Sequence, residues 1–194
     1  MARPREFDGD LVLDQVMRLF WQQGYQATSL DDLMRATGLS KQSIYGAFGG
    51  KRALFLKALE LYRCQRLPAL RAQLKEARSA KAAIASAIRA AAEHNASDDC
   101  PLGCLMANTA LELGTQDAEI VAEVRKMMSG YERILAETIE RAQRSGEITT
   151  KLKSEVIAQT LRSSLDGVAV LQKVGAPQKN IRAVVEALLE MIAA

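Results

Sequence analysis

The chain has 194 residues, a formal net charge of +3 and 48% hydrophobic residues. That apolar content is enough to bury a sizeable core, which argues against a disordered protein, and no apolar run reaches the roughly 18 residues that a membrane span needs. Three cysteines are too few for a disulfide-stabilised scaffold, and the charged segment 1–14 lacks the apolar stretch of a signal peptide. We therefore expect a cytoplasmic protein.

The first predicted elements are three short helices followed by a longer one. Apolar residues from Leu13 to Phe20 repeat at intervals of three and four, which predicts a helix over 8–23. Ser29 can cap a second short helix ending near Gly38, and its spacing to Asp32 resembles a capping box. The third helix is predicted over 41–47, after Ser40. The fourth is predicted to begin at about 51, after Gly49-Gly50, and to run up to or past Pro68.

The rest of the chain predicts five longer amphipathic segments, and no strand alternation stands out. The expected fold is all-α, with about nine helices in two parts: three short helices with the start of a fourth over 1–60 and a larger helical part over 61–194. The later helices are predicted over 80–96, 102–113, 117–144, 154–174 and 178–192.

Charge is distributed unevenly along the chain. Residues 33–59 contain five basic side chains and no acidic one, whereas residues 6–32 contain six acidic side chains and one basic. A near-neutral protein with one short basic stretch fits a localised anion contact better than binding over the whole surface. Chance placement on a solvated face explains the charge pattern equally well by itself.

The segment 24–54 carries the strongest functional signal. Two short helices joined by a glycine-containing turn suit a helix-turn-helix, whose second helix enters the major groove. In that second helix Lys41, Gln42 and Ser43 come first and are polar, whereas Ile44 and Phe48 are apolar and four residues apart. The polar tripeptide is therefore predicted to face outward toward base edges.

Three side chains are candidates for phosphate contacts. The hydroxyl of Tyr45 can reach a phosphate, and Lys51 and Arg52 begin the next helix, where free backbone N–H groups also favour an anion. Taken singly, each would be an ordinary packing or solvated residue. Their joint placement after a helix-turn-helix favours the DNA-binding interpretation.

These residues together resemble the N-terminal signature of the tetracycline-repressor (TetR/AcrR) family over about 45 positions without a gap. The sequence departs from the family pattern at Ser43, where Gly is common, at Gly50, where Ser or Asn is common, and at Arg52, where an acid is common. The matching residues are Gly24-Tyr25, Thr28-Ser29-Leu30, Leu33, Thr37-Gly38-Leu39-Ser40, Ser43-Ile44-Tyr45, Phe48 and Lys51-Arg52-Ala53-Leu54.

The resemblance implies an all-α repressor that binds palindromic double-stranded operator DNA as a homodimer and is released by a small effector. It implies no cofactor. It also makes residues 1–60 an N-terminal three-helix DNA-binding domain with a helix-turn-helix and residues 61–194 a helical effector-binding and dimerisation domain. It places Thr28, Tyr45 and Lys51 at the phosphate backbone and Lys41, Gln42 and Ser43 near bases. The complete predicted DNA-binding set is Thr28, Ser29, Ser40, Lys41, Gln42, Ser43, Tyr45, Lys51 and Arg52.

The last two predicted helices have apolar stripes that are broader than one helix face needs for packing against a small domain. The resemblance implies that these helices form a four-helix dimer interface. The alternative is that they are simply intramolecular core. The residues predicted at the interface are Leu161, Leu165, Val168, Val184, Val185 and Leu188.

An effector cavity is expected between the middle helices. Methionines adapt to irregular ligands, although they also fill ordinary cores. The predicted lining is Cys104, Leu105, Met106, Thr109, Met127, Met128 and Tyr131.

The stretch Gly103-Cys104-Leu105-Met106, together with Thr109-Ala110-Leu111-Glu112, resembles a branch of the same family that includes electrophile-, hypochlorite- and copper-responsive repressors. If a helix begins near Leu102, its dipole lowers the pKa of the Cys104 thiol, and Cys100 can resolve an oxidised Cys104 as a disulfide. Two alternatives remain open: His94 with both cysteines can hold a soft metal such as Cu(I), or the cysteines are structural.

Two other classes of protein compete with a regulator. An enzyme is disfavoured because the chain has no Gly-x-Ser-x-Gly elbow or Walker loop, and its single histidine, His94, leaves only one Cys–His pairing, with nothing to orient it. A helical adaptor without DNA binding is the second competitor.

Overall fold

The structure is a computed structural model that describes residues 7–75, 77, 79–94 and 102–193, without the side chain of His94. Within these ranges the chain forms nine α-helices and no β-strand, with one isolated antiparallel bridge between Ile148 and Ala193. The helices are α1 (Gly9–Gln23), α2 (Leu30–Thr37), α3 (Lys41–Phe48), α4 (Lys51–Lys75), α5 (Ala80–His94), α6 (Leu105–Leu113), α7 (Ala118–Arg144), α8 (Ser154–Lys173) and α9 (Gln178–Met191).

Polar side chains fix where several helices begin. Asp8 accepts hydrogen bonds from backbone N–H groups of α1, and Asp117 does the same for α7. The predicted capping box is confirmed: the Ser29 hydroxyl accepts the N–H of Asp32, and the Asp32 carboxylate accepts the N–H of Ser29. These caps satisfy donors that a helix N-terminus leaves unpaired.

The beginning of α6 differs from the prediction, and the end of α4 lies past Pro68, one of the two possibilities that the sequence left open. Helix α6 begins at Leu105 instead of near 102, so Cys104 is its N-cap residue and lies outside its first turn. Helix α4 continues through Pro68 to Lys75. A proline inside a helix removes one backbone hydrogen bond, which the packing of α4 on both sides must offset.

Helix α4 connects two clusters of buried side chains. One cluster joins the DNA-binding helices to α6 and α7, with Phe20, Ile44 and Phe55 packed together with Met106 and Val124. The second lies among the C-terminal halves of α4 and α7 and helices α5, α8 and α9. Each fully buried Leu, Ile or Phe contributes about 1.5–3 kcal/mol. The first 60 residues therefore share their core with the rest of the chain, and the boundary at residue 60 stays a prediction.

No helix in the described ranges combines the length and the hydropathy that a membrane crossing requires.

Candidate DNA-binding surface and effector cavity

Helices α2 and α3 form the predicted helix-turn-helix. Gly38 ends α2 in the left-handed conformation, at φ +68°, and Ser40 caps α3 by accepting the N–H of Ser43 at 3.1 Å. Leu33 and Ile44 are fully buried and anchor the two helices on the same core. The turn thus fixes the angle at which α3 leaves α2.

The outer face of α3 carries the polar side chains that the sequence predicts there. Lys41 and Gln42 are exposed, and Ser43 is half-buried with its hydroxyl 2.9 Å from that of Ser40. Tyr45 is 52% exposed, and its ring lies against Gly50, where an added Cβ would come within 2.9 Å of Cε1. The absence of a Cβ at Gly50 therefore leaves room for the Tyr45 ring in this position.

Lys51 lies beside the same surface at the start of α4. Its Nζ sits 4.5 Å from the ring centroid of Tyr25, a cation–π contact that holds the ammonium near the turn between α1 and α2. Burial raises the pKa of Tyr25, while Arg52 counteracts this effect. Lys51 therefore lies next to the turn before α2, one residue after the Gly50 that contacts the Tyr45 ring.

One predicted phosphate contact is wrong in this conformation, and a second predicted residue has other partners. Thr28 is fully buried, and its hydroxyl donates to the Gly24 carbonyl at 2.6 Å, so it cannot reach DNA. Arg52 points to the body instead: it donates to Asp117 at 2.6 and 2.9 Å and to Glu119 at 2.8 Å. The carboxylates of Asp117 and Glu119 at the start of α7 therefore pair with the positive charge of Arg52, which the sequence predicted to face DNA.

Ser29 and Ser40 remain exposed, but both hydroxyls serve as helix caps. Their predicted DNA contacts stay predictions.

A cavity of about 330 Å³ lies between α1, α4, α5, α6, α7 and α8. A site of 150 Å³ lined by aliphatic residues and Phe is large enough for benzene, so this one has room for a ligand of about two rings. Its walls are mostly apolar, with a few polar groups, as in typical ligand sites. The lining residues are Trp21, Tyr62, Arg66, Ala69, Leu70, Gln73, Ala87, Ala90, Ala91, Gly103, Cys104, Met106, Met127, Met128, Tyr131, Arg162, Leu165, Asp166 and Ala169.

The predicted lining is partly correct. Cys104, Met106, Met127, Met128 and Tyr131 line the cavity.

Leu105 and Thr109 do not line it and were predicted wrongly. Leu105 packs in the core around α1 and α4, and the Thr109 hydroxyl donates to the Leu105 carbonyl within α6. Leu105 and Thr109 are four residues apart and so share one face of α6, whereas Met106, which lines the cavity, lies on a different face.

Sequence reasoning missed the polar and aromatic part of the wall. Trp21, Tyr62 and Arg66 come from α1 and α4, and Arg162 and Asp166 from α8. These residues are far apart in sequence and meet only through tertiary packing. The sole usable signal was the single tryptophan of the chain, at the end of α1.

The Cys104 thiol does not have the low pKa that the sequence suggested. Burial raises its pKa, and the backbone N–H of Ala107 and the Tyr62 hydroxyl only partly counteract that effect. Thiolate at neutral pH is therefore disfavoured, and the predicted basis for an activated thiol is wrong. Cys100 lies outside the described residues, as does the side chain of His94.

Two tyrosines and a cluster of charges set the electrostatics of the cavity. Burial raises the pKa of Tyr131 to about 12 and that of Tyr62 further, so both hydroxyls are protonated donors at neutral pH. Arg162 donates to Glu132 at 2.5 Å and to Asp166. Burial raises the pKa of Asp166, and Arg162 opposes this shift.

Polar contacts tie the DNA-binding helices to the body. The Glu112 carboxylate on α6 accepts the N–H of Tyr25 at 2.9 Å and of Gln26 at 2.6 Å, in the turn before α2. The indole N–H of Trp21 donates to the Gly103 carbonyl at 3.1 Å. Together with the Arg52 pairs, these contacts connect both ends of α6 to the helix-turn-helix domain.

The predicted dimer residues divide into three groups: buried core residues, one cavity residue and two residues nearer the surface. Leu161, Val168 and Val185 are at most 2% exposed within a single chain, so they belong to the intramolecular core, and placing them at the interface was wrong. Leu165 lines the cavity. Among the predicted residues Val184 is the exposed one, at 39%, and Leu188 is half-buried.

An apolar surface nevertheless runs along α8 and α9. It consists of apolar side chains of these helices that are exposed or half-buried. Its members are Val156, Val170 and Leu171 on α8, Val174 at the C-cap of α8, and Val184, Leu188 and Met191 on α9.

Comparison with known proteins identifies the family. A family model described as bacterial regulatory proteins, tetR family, matches residues 12–58, and one described as tetracyclin repressor-like, C-terminal domain, matches residues 80–188. The chain belongs to the tetR family. It is a DNA-binding transcriptional regulator of the helix-turn-helix type and not an enzyme.

Individual relatives agree with this assignment over nearly the whole chain. The transcriptional repressor ComR of Escherichia coli K12 is 33% identical over 181 residues, 93% of this chain and 86% of ComR. A cysteine mutant of the regulator CifR, complexed with 26-bp double-strand operator DNA, is 32% identical with a TM-score of 0.86, covering 98% of this chain and 100% of that chain.

The reduced form of E. coli NemR has a TM-score of 0.87 at 18% identity, over 95% of this chain and 96% of that chain, which shows the shared fold alone.

Proposed function

We propose that this tetR-family chain is a cytoplasmic homodimeric repressor that binds palindromic operator DNA and is released when a small molecule occupies the 330 Å³ cavity. One observation carries the proposal most strongly. Helix α1 and the turn before α2, which belong to the same domain as the surface with Lys41, Gln42 and Tyr45, are joined by hydrogen bonds to Gly103 in the cavity wall and to Glu112 on α6.

The proposed dimer forms through the apolar surface of α8 and α9. Isolated exposed apolar side chains are ordinary, but a continuous stripe on two adjacent helices favours an interface. A two-fold axis there makes the contact self-complementary and gives two copies of α3, which suits half-sites about 34–36 Å apart. Val174→Glu, at a position 73% exposed in the single chain, should therefore yield monomers in sedimentation velocity.

DNA binding is tested by fluorescence anisotropy with labelled duplexes from the promoter region of the chain's own gene. Affinity should fall steeply as salt rises, because basic side chains displace counterions from phosphates. Tyr45→Phe and Lys51→Ala should weaken binding to all duplexes, whereas Gln42→Ala should change the preferred sequence. Lys151→Ala, in the loop between α7 and α8, is the control and should bind normally.

A helical adaptor is the competing outcome. Normal folding with no salt-sensitive binding to any duplex would support an adaptor and overturn the repressor proposal. Binding that Lys151→Ala reduces as much as Lys51→Ala would remove the helix-turn-helix from the proposed contact surface.

Release requires an effector that prefers the state in which the two helix-turn-helix domains do not fit the operator. A ligand with equal affinity for both states shifts nothing, however tightly it binds. The cavity touches α1, α4 and α6, which also carry the contacts to the DNA-binding surface, so filling it can favour one arrangement. The predicted electrophile- or copper-responsive branch and the role of Cys104 as a sensor thiol stay predictions.

A further inference from the structure

The charged groups in the cavity wall already have partners within the chain. Arg162 donates to Glu132 at 2.5 Å and to Asp166. The guanidinium of Arg66 lies over the ring of Tyr62, with Cζ 5.4 Å from the ring centroid. A charged ligand would have to compete with these contacts and would also lose its own hydration, so the wall favours an uncharged ligand.

Tyr131 on α7 contributes a hydroxyl to the wall that makes no hydrogen bond to any described residue. Burial raises its pKa to about 12, so the hydroxyl keeps its proton at neutral pH. Two other donors of the wall are engaged: the indole N–H of Trp21 donates to the Gly103 carbonyl at 3.1 Å, and the Tyr62 hydroxyl contacts the Cys104 thiol. Tyr131 can therefore donate its hydrogen to a ligand.

An acceptor lies on the neighbouring helix α8. The Asp166 carboxylate lines the cavity and accepts from Arg162 through Oδ2, whereas Oδ1 accepts no hydrogen bond from the described residues. Arg162 also joins Asp166 to Glu132, the residue that follows Tyr131 on α7. After burial, the groups that raise the pKa of Tyr131 are Cys104 and Asp166, as expected of close neighbours. One donor and one acceptor thus face the cavity between α7 and α8.

The rest of the wall suits an aromatic ring. Met106, Met127 and Met128 line the cavity, and a thioether sulfur makes favourable contacts with aromatic rings. The rings of Trp21 and Tyr62 meet edge-on, with centroids 5.3 Å apart, and offer further aromatic surface. The volume of about 330 Å³ has room for one or two rings.

We propose that the effector is a compact uncharged phenol of one or two rings, an inference that rests on the proposed effector control of DNA binding. Its hydroxyl accepts the hydrogen of Tyr131 and donates its own hydrogen to Asp166, while the ring lies among the cavity methionines. A phenol, like a tyrosine side chain, ionises at a pH of about 10 and is neutral under ordinary conditions. An ammonium offers no acceptor to Tyr131, and a carboxylate offers no donor to Asp166 and repels its charge.

Isothermal titration calorimetry on the full-length chain separates these ligand classes. The probes share one ring and one ethyl group: para-ethylphenol, its methyl ether para-ethylanisole, para-ethylbenzoate and para-ethylbenzylamine. The phenol should bind at least about tenfold more tightly than the ether, because the ether keeps the acceptor but loses the donor to a charged group. It should also bind more tightly than either charged probe. An ether that binds as tightly as the phenol, or a charged probe that binds more tightly, would overturn the inference.

A carboxylate variant tests the acceptor half of the contact. Asp166→Asn should reduce the preference for the phenol over the ether about three- to tenfold, because a neutral amide replaces the charged acceptor. Glu132→Gln is the matched control, since it removes the other carboxylate that pairs with Arg162 but does not line the cavity. Its preference should equal that of the parent chain. Equal changes in the two variants would contradict the assignment of Asp166.

A tyrosine variant tests the donor half. Tyr131→Phe should weaken the phenol and the ether alike, about two- to tenfold, because both probes accept the hydrogen bond that is lost. Tyr62→Phe removes a hydroxyl from the same wall that already contacts Cys104, and it should weaken neither probe. A loss in Tyr62→Phe as large as that in Tyr131→Phe would contradict the assignment of Tyr131.

Operator release distinguishes this inference from the function on which it rests. If the ether or a charged probe binds and releases operator DNA while the phenol does neither, the ligand class is wrong and effector control stands. If the phenol binds with the expected preference and Asp166→Asn removes that preference, yet operator affinity never changes, the ligand class stands and effector control is wrong.

Discussion

Glu112 is the residue whose removal should most clearly uncouple the DNA-binding domain from the body. Its carboxylate accepts the backbone N–H groups of Tyr25 and Gln26, and it lies so close to Gly24 that an added Cβ there would be 3.0 Å from Oε2. Glu112→Ala removes both acceptors at once. The turn between α1 and α2 then loses its fixed position relative to α6.

The size of the effect follows from the two hydrogen bonds. A hydrogen bond to a charged group contributes about 1.5–3 kcal/mol. The Tyr25 bond is partly buried and should count in full, whereas water replaces much of the exposed Gln26 bond. Glu112→Ala should therefore lower the free energy of unfolding by about 2–4 kcal/mol in urea titrations, and it should also reduce the change in operator affinity that an effector produces.

Glu137→Ala is the matched control, because it removes a carboxylate from an exposed pair with Arg71, and such pairs contribute about 0–1 kcal/mol. Glu112→Gln, which keeps one carbonyl oxygen, should fall between Glu112→Ala and the parent chain. The reasoning is refuted if Glu112→Ala costs no more than Glu137→Ala and the effector response is unchanged.

Three further predictions concern other contacts. Gly130→Ala should lower the free energy of unfolding by about 1–3 kcal/mol, because its Cβ would lie 2.5 Å from Cδ1 of Leu67; an unchanged urea midpoint would contradict this. Arg52 lowers the pKa of Asp117 to about 2, so the stabilisation from this pair is complete above the unfolded value near 3.8 and is lost as pH falls toward 2. Asp117→Asn should therefore flatten the acid limb of the stability–pH curve, and a limb of unchanged slope would count against the pair. If Cys104 is the sensor thiol, Cys104→Ser should make operator binding insensitive to hydrogen peroxide in anisotropy assays, and release that persists would exclude it.

Local signals explain why the helix-turn-helix could be predicted from sequence. Ser29, Gly38 and Ser40 act on their immediate neighbours, through capping and through backbone conformation, and the structure uses each of them as predicted. Leu33 and Ile44 are buried because the apolar side chains of α2 and α3 lie on one face of each helix, and that face packs on the core. Such residues encode structure within a few positions, so a single sequence is enough to interpret them.

Residues whose partners are distant in sequence were mispredicted. Arg52 looked like a DNA contact because nothing local indicates Asp117, which lies 65 positions away. Leu161 and Val168 looked like interface residues because an apolar stripe does not say which face meets its own chain and which meets a partner. Trp21 and Arg162 come together only when α1 and α8 pack around α4 and α7, so the cavity could not be assembled from local patterns.

Pro68 lies inside the part of α4 that lines the cavity. Cavity residues lie on both sides of it along α4, with Tyr62 and Arg66 before it and Leu70 after it. The missing N–H makes this point of the helix the least costly to bend. Close packing of Leu67 on Gly130 holds the same point against α7. We therefore expect a ligand that changes the spacing of the cavity walls to bend α4 near Pro68, and the first half of α4 to move together with the DNA-binding domain packed on it.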